Sequence, residues 1–468
     1  MSLILDETAY RVLTVDGVPV RAWEGIPYCE HPHSPVERLN LYAPEAYFHG
    51  GSVGRYTSRT APIFCPNTVG GYMEGPAMEP DGPRFGPDVL SAALKHGYVA
   101  ACPGIRGRNS ENGRAPALIV DMKAAVRFLR YNGKRIPGDT DRIVTSGTSA
   151  GGALSALAGA AGNHPDYEPY LKEIGAAQER DDVFAANCYC PIHNLENADT
   201  AYEWTFGRET EYRRMRILHT DRGIERRQED CVLTPEQKEV SAALGKLFPA
   251  YVNSLGLEDG NGAPLTLADN GEGSFLEYAA SEVVRSARLE EETGASERTG
   301  MMAARVRDCG FLIRRNGRIE GIDWPSYVHA IGRMKVPPAF DALDLSSPEN
   351  DEFGGKHFTA FSSAREGSGD ADGALVRMLN PTLYIGKADT APHWRIRHGT
   401  WDRDTSPAIP LILSLLLKKK GYDVDFLLPW GLPHSGDYDL DELFAWIDGL
   451  CDPGERTGTQ SDGGGMRI

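Results

Sequence analysis

One hexapeptide limits what this chain can become. Gly147, Thr148, Ser149, Ala150, Gly151 and Gly152 have the form G-x-S-x-G with one further glycine. Residues 141–146 before it read as a short buried strand, and residues 153–161 after it as a helix of small side chains. A strand, a sharp turn and a helix are the setting of a nucleophile elbow. The turn strains the serine and lifts its Oγ above the sheet, while small neighbours let strand and helix approach. Ser149 is therefore the candidate nucleophile, set against the plainer reading of a glycine-rich turn. The N–H of Ala150, directly after it, is a candidate oxyanion donor.

The surrounding pattern fits a sheet that could carry such an elbow. Residues 10–48 hold short apolar runs broken by Gly, Pro and His, which predict antiparallel edge strands. A buried strand at 61–65 runs into the loop 66–75, where Gly70 and Gly71 are candidates for the other half of the oxyanion hole. A strand at 97–102, a helix at 118–131 and a strand at 183–190 continue the alternation, with Cys188 and Cys190 expected on one face of that last strand. The alternation implies an α/β fold with a mostly parallel, doubly wound sheet.

After residue 193 this rhythm stops. Thr234 and Gln237 form a capping box opening a helix with Val240, Leu244, Phe248 and Tyr251 on one face, and Ser274 with Glu277 is expected to cap another, running to about residue 292. Strands resume at 381–385 and 394–397, followed by a helix at 407–420 and a strand at 424–428. The expectation is a core of 1–193 and 381–452, a large, mainly helical lid at 194–380, and a disordered tail at 453–468.

A nucleophilic serine needs a base, and the base an orienting acid, in the chain order serine, acid, histidine. His434 lies in a loop just past the last predicted strand. Two aspartates compete for the acid, Asp389 and Asp402, each the last residue of a G-x-x-D run after a predicted strand. Only Asp402 is followed directly by a helix, a strand and the histidine, so Asp402 is preferred.

The formal charge of −17, from 49 Lys and Arg against 66 Asp and Glu, argues against nucleic acid or an anionic membrane as partner. No secretory leader or membrane span is visible, and eight scattered cysteines without a C-x-x-C pair fit reduced thiols in a cytoplasmic protein. No metal-ligand motif appears and no organic cofactor is implied. Oligomeric state is not legible.

With Ser149, Asp402, His434 and a large insertion between serine and acid, the chain resembles the bacterial tannases, α/β-hydrolase serine esterases that cleave galloyl esters. The likeness runs from loop 66–73 through 190–195 and 397–405 to His434, and includes Lys335 and Glu349, fourteen positions apart. It implies that Lys335, Glu349 and Asp404, two residues past the acid, contact the three phenolic hydroxyls of a small-molecule galloyl ester. Residues 205–330 match less clearly. Competing readings are a feruloyl or general carboxylesterase with the same triad, a peptidase on the same fold, and a catalytically silent hydrolase-fold binding protein.

Overall fold

Asp16 and Gly17, at φ 47° and 85°, make a two-residue turn between β1 (Arg11–Val15) and β2 (Val18–Pro27), the kind whose twist matches a hairpin. In this computed structural model, which describes residues 1–80, 82, 88–220, 223–367 and 370–451, β3 (Arg38–Pro44) extends the hairpin antiparallel. The expected tail at 453–468 lies outside the described residues.

β4 (Pro62–Pro66), β5 (Val99–Pro103), β6 (Asp139–Thr148) and β7 (Ala185–Tyr189) then add in parallel. Helices α1 (Val89–Lys95), α2 (Ala117–Tyr131) and α3 (Ala150–Ala160) form part of the crossovers between them. After β7 the chain leaves the sheet at α4 (Leu195–Phe206) and makes the hairpins β8 (Glu211–Thr220) with β9 (Gly223–Val232) and β10 (Leu312–Arg315) with β11 (Arg318–Ile322). Between the hairpins runs α5 (Ser274–Thr293). The chain re-enters the sheet at β12 (His393–Arg397), crosses by α6 (Ala408–Lys419) to β13 (Asp423–Leu427) and ends in α7 (Leu440–Leu450). The nine strands lie in the order β1-β2-β3-β5-β4-β6-β7-β12-β13, parallel from β5 to β13.

Parallel strands covered on both faces need apolar residues throughout. Ile63, Phe64, Val99, Ile143, Val144, Ala185, Trp394 and Ile396 are all inaccessible to solvent. The small residues of α3 have a packing reason: a Cβ on Gly159 would lie 2.8 Å from the indole of Trp394. Buried charge on α2 is paired, with Lys123 2.6 Å and Arg127 2.8 Å from the carboxylate of Asp181.

Four local expectations change. Residues 381–385 are not a strand. Pro381–Leu383 is a single 3-10 turn capped by Asn380, whose side chain accepts from Thr382 N–H, so β12 pairs directly with β7. The helix carrying Val240 to Tyr251 is two, Pro235–Gly245 and Phe248–Ser254, the second opened by Pro249. The capping box of Thr234 and Gln237 is present, but Ser274 does not cap α5; its hydroxyl is turned back to Thr266 N–H and Pro264 O. The segment between β7 and β12 is also less helical than expected, since it holds both hairpins, and none of their four strands joins the main sheet.

Candidate active site

Every expected triad residue lies just past the carboxyl end of a parallel strand, the edge where open α/β sheets gather ligands. Ser149 follows β6 with φ 63° and ψ −123°, and its N–H donates to Tyr189 O at 3.0 Å. This conformation is held by close backbone approach. A Cβ on Gly147 would sit 2.3 Å from Gly151 O, and one on Gly152 would sit 2.4 Å from Tyr189 O, so α3 can start this near β6 and β7 only with glycine at both.

The loop 66–75 is anchored by Asn67, whose amide donates to Ser146 O and Gly151 O at 2.9 and 3.1 Å. Beyond it Gly71 and Tyr72 both have positive φ, 54° and 59°, and Tyr72 Oη donates to Ile192 O at 2.7 Å. Nothing lies within 4 Å of where a Cβ on Gly70 or Gly71 would be. The loop backbone at these glycines is therefore open to a bound group. Ala150 is the first residue of α3, where helix N–H groups have no intrahelical acceptor.

Asp402 and His434 meet: Nδ1 of the imidazole is 2.7 Å from Asp402 Oδ2. The loops carrying them are cross-linked by Thr400 N–H to Pro429 O at 3.0 Å and Trp401 N–H to Leu432 O at 3.0 Å. Asp402 also accepts from Asp404 N–H at 2.8 Å, and a second imidazole, fully buried His398, places Nδ1 3.5 Å from Oδ2. Burial opposes ionisation of Asp402, but His434, His398 and the Asp404 N–H outweigh it and hold the carboxyl at about 2. Burial likewise works against a charge on His434, and the Asp402 carboxylate reverses this and raises it well above its ordinary value. Asp389 lies elsewhere, its carboxylate accepting from Asn163 at 2.8 Å and its backbone bridged to Gly162, past the far end of α3.

Of the expected ring-binding residues, Asp404 adjoins this pair and Lys335 reaches it through Asp404. Asp404 Oδ2 is 4.0 Å from His434 Nδ1, and Asp404 Oδ1 is 3.9 Å from Lys335 Nζ, which also lies 4.0 Å from the centre of the Phe340 ring. Glu349 is buried at the start of the short helix Pro348–Glu352, which Ser347 caps by accepting from Asn350 N–H. Burial raises the Glu349 carboxyl, with Lys335 the main opposing charge.

What holds this frame was not singled out in the sequence. Tyr202 Oη donates to Arg403 O at 3.1 Å and accepts from Met334 and Lys335 N–H at 3.1 and 3.0 Å, tying the acid loop to the Lys335 segment. Arg333, fully buried, pairs with equally buried Glu203 on α4 and donates to Lys335 O at 2.9 Å. Arg108 donates to Gly71 O at 2.8 Å and to Asp351 at 3.0 Å, linking the glycine loop to the helix of Glu349. The apolar periodicity that marks core helices gives no warning of such polar ties. Cys190 also departs from expectation. β7 ends at Tyr189, and Cys190 turns to φ 34°, bringing Sγ to 3.9 Å from His434 Nε2.

The chain resembles a tannase crystallised from Lactobacillus plantarum at 43% identity and TM-score 0.90, over 96% of this chain and 100% of that one. The chain belongs to the bacterial tannase family. A tannin acyl hydrolase in complex with ethyl gallate is equally close, at 43% identity and TM-score 0.88 over 96% of this chain and 99% of that chain. Residues 67–211 match the BD-FAE family model. Esterase LipC of Mycobacterium tuberculosis is 41% identical over 85 residues, 18% of this chain, which spans only about a fifth (21%) of that protein. Membership places this tannase-family chain among the α/β-hydrolase esterases. No helix among the described residues is long and apolar enough to cross a membrane.

Proposed function

We propose that this tannase-family chain hydrolyses galloyl esters to gallic acid and an alcohol through a galloyl-enzyme intermediate. The observation that carries the reading is the contiguity of Lys335, Asp404 and the His434–Asp402 pair, each neighbour within 4.0 Å of the next, with buried Glu349 in their electrostatic reach. Three adjacent phenols each donate and accept. Two carboxylates and an ammonium answer that pattern with charge-assisted bonds, and a site built this way discriminates against rings that lack the hydroxyls.

In the proposed reaction Ser149 Oγ attacks the ester carbonyl while His434 Nε2 takes its proton and Asp402 holds the imidazole by Nδ1. The N–H groups of Ala150 and of Gly71 or Gly70 receive the oxyanion, each such donor lowering the barrier by about 3–4 kcal/mol. His434 then protonates the departing alcohol, and a water deprotonated by His434 releases the acid. We read residues 194–380 as the lid that brings Lys335 and Glu349 over the sheet. Eight cysteines, all unpaired, support work in a reducing, cytoplasmic setting. The net charge of −17 favours a small-molecule partner over nucleic acid or an anionic membrane. Turnover of methyl gallate beside methyl ferulate and methyl benzoate tests the reading. Preference for the gallate supports it, and preference for the ferulate returns the chain to a feruloyl esterase.

A further inference from the structure

We propose that Cys190 Sγ and His434 Nε2 together bind a zinc-class divalent cation, and that this ion is a reversible inhibitor and not a resident cofactor. The thiol and the imidazole nitrogen are 3.9 Å apart, and with an Asp402 oxygen they form a set of donor atoms within 4.8 Å of one another. A tetrahedral zinc at about 2.3 Å from sulfur and 2.0–2.1 Å from nitrogen separates those donors by about 3.6 Å. Closing the gap takes a shift of a few tenths of an ångström.

Both donors are already aimed. Cys190 is held by its N–H on Arg397 O at 2.6 Å, and its thiol proton points to Ser435 O at 3.3 Å. His434 turns Nδ1 to Asp402, which leaves Nε2 toward the thiol. This is the carboxylate–histidine–metal arrangement, in which an outer carboxylate fixes the tautomer of a ligating imidazole. The geometry that orients a general base thus also orients a metal ligand. Asp402 serves from the second sphere, and water fills the remaining positions. The His434 side chain is 20% exposed, so part of the imidazole is open to solvent.

The thiol loses one proton to solvent as the sulfur–metal bond forms, and the lone pair of Nε2 becomes a metal bond. That lone pair is the one that accepts the Ser149 proton, so an occupied site has no base and inhibition goes to completion. The proposal rests on atoms of this chain and holds whichever ester is cleaved.

Trihydroxyphenyl rings chelate divalent cations themselves, so the test avoids them. Zn²⁺ is titrated in a non-coordinating buffer against p-nitrophenyl acetate hydrolysis, with EDTA reversal. Co²⁺ is bound to the Ser149→Ala protein without substrate and read by its sulfur-to-cobalt charge-transfer absorption. We expect full, EDTA-reversible inhibition and a sulfur band. Cys190→Ser should raise the half-inhibiting Zn²⁺ concentration by at least about 10–100-fold, the loss that even an outer-sphere partner carries, and remove the band. Replacing Cys231 and Cys309, the two more accessible thiols, should change neither. Unaltered inhibition in Cys190→Ser, absence of the band in the Ser149→Ala protein, or a band that follows Cys231 or Cys309 overturns the proposal. If Cys190→Ser does not fold, Cys190→Ala and the cobalt spectrum of the Ser149→Ala protein decide it.

Discussion

At the scale of single residues the site turns on how Asp402 and His434 charge each other. A protonated His434 cannot take the Ser149 proton, and Asp402 raises the pH at which it is protonated. kcat/KM is therefore expected to fall on the acid side through a midpoint above the ordinary histidine value of 6.5. Asp402→Asn should move that limb to lower pH and cut kcat on the order of 10⁴-fold, the loss seen when a triad acid is neutralised. Asp389→Asn, altering a carboxylate that meets Asn163 and not His434, should leave kcat unchanged. A reversed pair of results would reassign the acid. The same shifts act on stability. The Asp402 contribution is present above pH 3.8 and is lost as pH falls toward 2. The His434 contribution is present below pH 6.5 and is lost as pH rises through its raised value. Ser149→Ala should fold normally and lose ester hydrolysis; turnover within about tenfold of the parent, against the far larger losses of triad mutants, would displace Ser149.

At the scale of elements, α4 ties the acid loop to the Lys335 segment, since it carries both Glu203 and Tyr202. Glu203 and Arg333 are fully buried, so removing one partner strands a charge. Arg333→Met alone should cost about 3–5 kcal/mol in denaturant unfolding, while Arg333→Met with Glu203→Leu should recover most of it. Tyr202→Phe keeps the ring but leaves Arg403 O and two N–H groups without their partner, and should lower kcat/KM more than it lowers stability. The contrast between core and insertion explains what the sequence made legible. Core strands such as β4 and β5 are continuous apolar runs that mark the sheet, and Ser149, Asp402 and His434 follow later strands in the chain order that the elbow predicts. β8 and β9 form a two-stranded sheet of their own and are rich in charge, so their residues carry no apolar–polar alternation to read. Residues 381–385 have the apolar content of a strand, but the Asn380 cap and Pro381 favour a turn. Cys190 leaves the strand face because its own φ of 34° ends the alternation that would place it beside Cys188.

At the scale of the whole molecule, the sheet and the segment inserted after β7 divide the proposed labour between them. The carboxyl ends of β4, β6, β12 and β13 bring the glycine loop, Ser149, Asp402 and His434 to one edge, and Asp404 comes with Asp402 from the sheet side. Lys335 and Glu349 come from the insertion, held through Tyr202, Arg333 and the capped helix Pro348–Glu352. The other sheet groups would then act on the ester, and Asp404 with the insertion groups on the ring, which gives a test that separates chemistry from recognition. Replacing Lys335, Glu349 or Asp404 with alanine should each lower kcat/KM for methyl gallate by about 1.5–3 kcal/mol, the range for a hydrogen bond to a charged group. The same changes should scarcely alter turnover of methyl benzoate, which has no ring hydroxyl to lose. Glu349→Ala is the cleanest case, because Glu349 is the most buried of the three and the farthest in function from the base. Asp404→Ala needs the benzoate control most, since Asp404 is 4.0 Å from His434 and its N–H holds Asp402. Equal losses on both esters would mean that these residues only hold the catalytic edge together. No loss on either would make Lys335 and Glu349 structural charges of the insertion, and would leave the family's preference for galloyl rings to be carried by other groups in this chain.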